Sequence, residues 1–146
     1  NSAEIELGQL TATKAADSGV IVYGERMVAA HQKAQMELKN LSEDRNIEVS
    51  DSINSTHSAL INRLSALSGY NFDTAYINSQ LWMHNETRDL FESIKDTTDD
   101  SGLENYVSKQ LPEIDTHLMK ADSIAEILVM GSDTTDFEND TTSLNY

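Results

Sequence analysis

The chain has 146 residues, enough for one domain with a hydrophobic core. Ten Lys and Arg against 25 Asp and Glu give a net charge of −15, which disfavours nucleic-acid binding because that function needs clustered basic side chains. The chain has no cysteine, which excludes disulfides and thiolate metal sites, and no apolar run reaches the ~20 residues of a transmembrane helix.

Two helices are predicted in the first third of the chain, where apolar residues recur at three- and four-residue steps. The first runs from about Ser2 to Ala16 and the second from about Val20 to Arg45. Asp17-Ser18-Gly19 separates them, and we expect Gly19 to act as the helix stop. The inner stripe of the second helix includes His31.

Three more helices follow. A shorter third helix starts at Ser50 or Asp51, either of which could cap it, and ends near Leu67. The fourth runs from about Asn71 to Lys95 and the fifth from about Leu103 to Met130. Four long helices and one short connecting helix predict an all-α, ferritin-like four-helix bundle with a crossover, in which the second and fourth helices are parallel.

The end of the chain differs in composition from the rest. Residues 131–146 are polar, acidic and rich in Thr. We therefore divide the chain into a helical bundle domain over residues 1–130 and an acidic disordered tail over 131–146.

Three histidines lie near the middle of three predicted helices: His31, His84 and His117. Each is about thirteen residues from the ends of its helix, which places all three at one level of the bundle. Glu4 in the first helix falls at about the same level. Because imidazole is the commonest protein ligand for zinc and copper, these four residues predict a divalent metal site in the bundle core.

An alternative without metal stays open for the same residues. The histidines could form a hydrogen-bond network, since a buried neutral imidazole has one donor and one acceptor to satisfy. His57 lies away from the shared level, and packing or capping explains it better than ligation. A di-iron site is disfavoured, because no histidine follows a Glu by three residues as that site requires.

The sequence also resembles a known family. The stretches AEIELGQL, RMVAAHQKAQMELKNL, LSALSGYNFDTAYI and LPEIDTHL occur in order within residues 3–128 and resemble the bacterial exported domain-of-unknown-function family 4142, whose members are often labelled predicted outer membrane protein. The resemblance implies a ferritin-like fold, family histidine positions at His31, His84 and His117, and the family's early Glu at Glu4. Ala30 stands where the family usually has an acidic residue. The resemblance implies export and no particular reaction.

Two functions are consistent with these features. The first is a protein of the periplasm or cell envelope that holds one divalent metal through Glu4, His31, His84 and His117. The second is a non-enzymatic interaction module whose acidic surface contacts a cationic envelope partner. An enzyme is less favoured, because the chain lacks a nucleophile motif and a Gly-rich phosphate loop. The chain opens at Asn1 without Met, from which we expect either trimming or export with removal of a signal peptide.

Overall fold

The computed structural model describes residues 1–135, with side chains to residue 131, and confirms the predicted all-α fold. These residues form five α-helices and no strand. None of the described helices is both long enough and apolar enough to cross a membrane. Residues 136–146, most of the predicted tail, lie outside the described part. The helices are α1 (Ser2–Lys14), α2 (Ser18–Glu43), α3 (Ser55–Ser65), α4 (Gly69–Thr97) and α5 (Ser101–Thr135).

A carboxylate cap separates α1 from α2. The side chain of Asp17 accepts hydrogen bonds from the backbone N–H groups of Gly19 and Val20, at 2.7 and 3.1 Å. These bonds satisfy two of the N–H groups that a helix start leaves without a partner. α2 therefore begins at Ser18, and the prediction that Gly19 stops a helix is wrong.

α3 starts later than predicted. The side chain of Asn54 accepts from the backbone N–H of His57 at 2.9 Å and caps the helix. Asp51 instead binds two side chains of α2, Lys39 at 2.6 Å and Gln35 at 2.8 Å. The predicted start at Ser50 or Asp51 is wrong because Asp51 is used to hold the connection against α2.

The helices are arranged with α2 and α4 parallel to each other. Contacting residues run in opposite order along each of three helix pairs, which makes each pair antiparallel. Both α2 and α4 are thus antiparallel to α5, as a crossover connection through α3 requires. The contacts are Glu4–Gln80 and Ala16–Asp73 for α1 and α4, Tyr23–His117 and Glu37–Lys109 for α2 and α5, and His84–His117 and Phe91–Tyr106 for α4 and α5.

The hydrophobic core lies in the half of the bundle where α1 packs. Leu7, Met27, Phe72 and Tyr76 are fully buried there. Burial of a large apolar side chain contributes about 1.5–3 kcal/mol, so this half carries most of the stabilisation. The histidines lie at the inner edge of this core, where it meets the half of the bundle that α1 does not reach.

Candidate metal centre

Three helices bring His31, His84 and His117 together. His31 is on α2, His84 on α4 and His117 on α5. Their ring centroids are separated by 5.1 to 6.0 Å. Each ring offers one nitrogen, and these three nitrogens lie within 4.8 Å of one another. The three rings are therefore close neighbours, at the shared level that the helix lengths predicted.

Burial keeps the imidazoles of His31 and His117 neutral at ordinary pH, because it lowers the pKa of both rings. His84 and His117 are only 3% and 5% exposed, and His31 is half-buried. Burial, with a smaller effect of His84, lowers the pKa of His117 to about 4. Burial is also the main reason why the pKa of His31 falls well below its ordinary value. At neutral pH both rings thus keep a lone pair that a metal can use without first displacing a proton from a cation.

Hydrogen bonds set the tautomer of His84. Its Nδ1 lies 2.9 Å from the backbone oxygen of Gln80, which can only accept, so Nδ1 carries the proton. The lone pair is then on Nε2, 3.1 Å from Nδ1 of His117. His117 therefore donates to His84, and the two rings share one hydrogen bond.

His31 leaves a buried nitrogen without a partner. Its Nδ1 lies 3.0 Å from the side-chain oxygen of Asn1 and donates to it. Its Nε2 is buried and has no hydrogen-bond partner among the described residues. An unsatisfied buried acceptor costs roughly 1–3 kcal/mol, so this atom is available to a metal ion or to a water from the adjoining space.

The three nitrogens fit a metal ion after a small contraction. With bonds of ~2.0–2.1 Å, a tetrahedral ion holds its nitrogens about 3.3–3.4 Å apart. Nε2 of His84 and Nδ1 of His117 are 3.1 Å apart, and one nitrogen from each of the three rings can be chosen so that all three lie within 4.8 Å of one another. Ligation by Nδ1 of His117 would move its proton to the other ring nitrogen. The donor set of three neutral imidazoles suits zinc or copper.

Glu4 lies beside the Nδ1 edge of the His84 ring, which faces away from His117. It is 5% exposed, and its Oε2 accepts from the Gln80 side chain at 2.8 Å. Its Oε1 is 3.8 Å from Nδ1 of His84, on the side opposite the nitrogen that meets His117. Direct ligation by Glu4 stays a prediction, and it would require the carboxylate to leave Gln80.

Two site residues were not identified from the sequence as part of the site. Gln80 holds both Glu4 and His84, and Asn1 holds His31. Gln80 had a detectable signal, because a polar residue one turn before His84 interrupts the apolar face of α4. His57 lies outside the cluster and packs its ring against Trp82, with centroids 6.4 Å apart.

Two cavities flank the histidines. The larger, about 800 Å³, is lined by His31 and His84 together with apolar side chains such as Leu90 and Ile94. The smaller, about 320 Å³, is lined by His31 and His117. Both volumes fall in the range of small-ligand pockets, so an ion held by the three rings would be accessible to small molecules.

Comparison with known sequences assigns the family. The sequence model described as Domain of unknown function (DUF4142) matches residues 1–124. This is most of the chain, which therefore belongs to that family. No curated protein and no solved structure matches the chain. Since the family description names no activity, the function has to be argued from the site.

Proposed function

We propose that this member of the DUF4142 family is a cell-envelope protein that binds one divalent metal ion through His31, His84 and His117. The observation that carries the proposal is the meeting of three imidazole nitrogens, one from each ring, within 4.8 Å. In addition, Nε2 of His31 is buried and has no hydrogen-bond partner among the described residues. Zinc and copper are the expected ions, because neutral imidazoles suit both. The envelope location is inferred from the family resemblance alone.

Glu4 places a negative charge near the proposed metal site without being one of its three nitrogen ligands. Its carboxylate faces the Nδ1 edge of His84 at 3.8 Å, and Gln80 fixes it there. A carboxylate behind a ligating imidazole strengthens the ring as a donor and offsets part of the positive charge of the ion. A movement of Glu4 onto the metal would add a fourth protein ligand.

Zinc affinity of single-residue variants tests this function. We expect sub-micromolar binding of one zinc ion in a competition titration against a chromophoric chelator. His84→Gln should weaken binding by at least about 100-fold, since even partners behind a ligand are worth 10–100-fold. Glu4→Gln should weaken zinc binding by less than about tenfold if Glu4 acts only through its charge at 3.8 Å, and by more if Glu4 ligates the ion.

His57→Gln is the matched control, because it removes the one histidine outside the cluster. We expect it to bind zinc as the wild type does. Equal losses in His57→Gln and His84→Gln, or no zinc binding by the wild type, would refute the metal site.

A specific observation also favours a second candidate, an interaction module with a structural histidine pair. His84 and His117 share a 3.1 Å hydrogen bond that satisfies one nitrogen of each ring without any ion. Under this alternative, zinc leaves the thermal stability of the protein unchanged, whereas a ligand that binds only the folded state raises it.

A further inference from the structure

The smaller cavity opens between α2 and α5 beside two of the histidines. His31 and His117 form part of its wall. The α2 side is lined by three alanines, whose short side chains leave space next to the rings: Ala29, Ala30 and Ala34. The volume of about 320 Å³ is enough for a small ligand and a few waters.

The charge of this cavity is opposite to that of the chain as a whole. The chain has ten basic and 25 acidic residues, yet three basic residues and one acidic residue line the cavity. The larger cavity shows the reverse, since its lining includes two glutamates and no Lys or Arg. The charged residues of the smaller cavity are Arg26, Lys33, Lys109 and Glu113, and the glutamates of the larger one are Glu4 and Glu86.

Two of the basic side chains are available to a ligand. Lys109 is 2.7 Å from Glu37, which offsets its charge. Arg26 and Lys33 are exposed and form no ion pair with any described residue. Arg26 and Lys33 are seven residues apart on α2, two turns along one face, so both point to the same rim. The positive charge of Arg26 acts on His117, although burial has the larger effect on that ring.

We propose that this cavity binds a small anion, a carboxylate or an inorganic oxyanion, which ligates the metal beside His31 and His117. The inference rests on the proposed metal site and adds the ligand class. Three neutral imidazoles do not reduce the +2 charge of a divalent ion. The carboxylate of Glu4, which lines the larger cavity, offsets one of these two positive charges. An anion from the smaller cavity balances the second and fills the open position of the ion.

Anion titration of the cobalt-loaded protein tests this proposal. Co²⁺ enters nitrogen sites of this kind, and its visible absorption changes when a ligand binds the ion. Acetate and inorganic phosphate are added separately, with the ionic strength held constant by sodium perchlorate. We expect a saturable spectral change. The anion with the lower Kd shows whether the site prefers a carboxylate or an inorganic oxyanion.

Charge variants show whether the basic rim holds the anion. Arg26→Gln with Lys33→Gln should raise the anion Kd about tenfold, because two nearby charges are lost. Arg63→Gln with Lys95→Gln is the matched control, since it removes the same charge from residues that line neither cavity. The control should change the Kd by less than about twofold.

The possible failures are distinguishable. Cobalt that binds through the histidines with no response up to roughly 100 mM anion would overturn the anion site and leave the metal site standing. Equal losses in both double variants would also overturn it. Failure of the wild type to bind cobalt would refute the metal site itself, and the anion proposal with it.

Ala30→Asp provides an independent test, because Ala30 lines the cavity and its replacement adds a carboxylate there. We expect this variant to bind cobalt and to lose the response to added anion, whether the new carboxylate ligates the ion or only repels the anion. A response equal to that of the wild type would contradict the proposal.

Discussion

The His84–His117 pair illustrates how burial determines the chemistry of single residues in this protein. Both rings are almost fully buried, and in such surroundings a cationic ring at His117 is costly. The pKa of His117 is accordingly lowered from about 6.5 to about 4. In the unfolded chain this side chain takes up a proton at a higher pH than in the folded protein. Acid should therefore destabilise the fold through His117.

This shift predicts the pH dependence of stability in metal-free protein. Between about pH 6.5 and pH 4 the unfolded state binds more protons, so the free energy of unfolding falls as the pH falls. We expect His117 to account for about 2–3 kcal/mol of this loss. His117→Asn keeps an N–H donor near the position of Nδ1 but does not titrate, so it should lack that part of the pH dependence.

Urea unfolding at pH 7.5, 6, 5 and 4 measures the effect in the presence of a chelator. The stability difference between wild type and His117→Asn should shrink steadily below pH 6.5, because the wild type alone loses the contribution of a neutral His117. Carboxylates titrate in both proteins and cancel in the difference. A difference that is independent of pH would contradict the account.

At the scale of secondary structure, the close contact between α1 and α2 depends on two glycines, Gly8 and Gly24. A Cβ added at Gly24 would lie 2.8 Å from the Cβ of Thr11, closer than side chains approach. A Cβ at Gly8 would lie 2.8 Å from the backbone oxygen of Gly24. The two helices therefore approach each other at these glycines. This close approach sets the position of α1, and with it that of Glu4.

Gly24→Ala should destabilise the protein by about 1–3 kcal/mol, because overpacking forces the two helices apart. Urea unfolding measures the loss. Alanine otherwise favours helix over glycine by up to about 1 kcal/mol, so a Gly24→Ala protein at least as stable as the wild type would show that the helices are not in close contact there.

Helix boundaries show what the sequence could not predict at this scale. Apolar periodicity identified all five helices, because each buries one face. It missed the start of α3, because the choice of Asn54 over Asp51 depends on the contact of Asp51 with Lys39 of α2. It also missed that the carboxylate of Asp73 on α4 binds the backbone between α1 and α2, with hydrogen bonds of 2.9 to 3.2 Å.

At the scale of the whole molecule, the predicted topology places the histidines together. Parallel α2 and α4 bring His31 and His84 to the same level, and this could be inferred from helix lengths alone. The position of Glu4 behind His84 could not, because it depends on the side-chain amide of Gln80. The basic lining of the smaller cavity could not be predicted from the sequence either, because Arg26, Lys33 and Lys109 come from two helices of a strongly acidic chain.

A metal ion bound by the three histidines would join α2, α4 and α5 across the bundle. The most direct measurement of this claim is zinc-edge X-ray absorption on the loaded His57→Gln protein, in which the cluster contains every remaining histidine. We predict three imidazole nitrogens at ~2.0–2.1 Å from one zinc ion. A zinc shell made only of oxygen ligands would contradict the account.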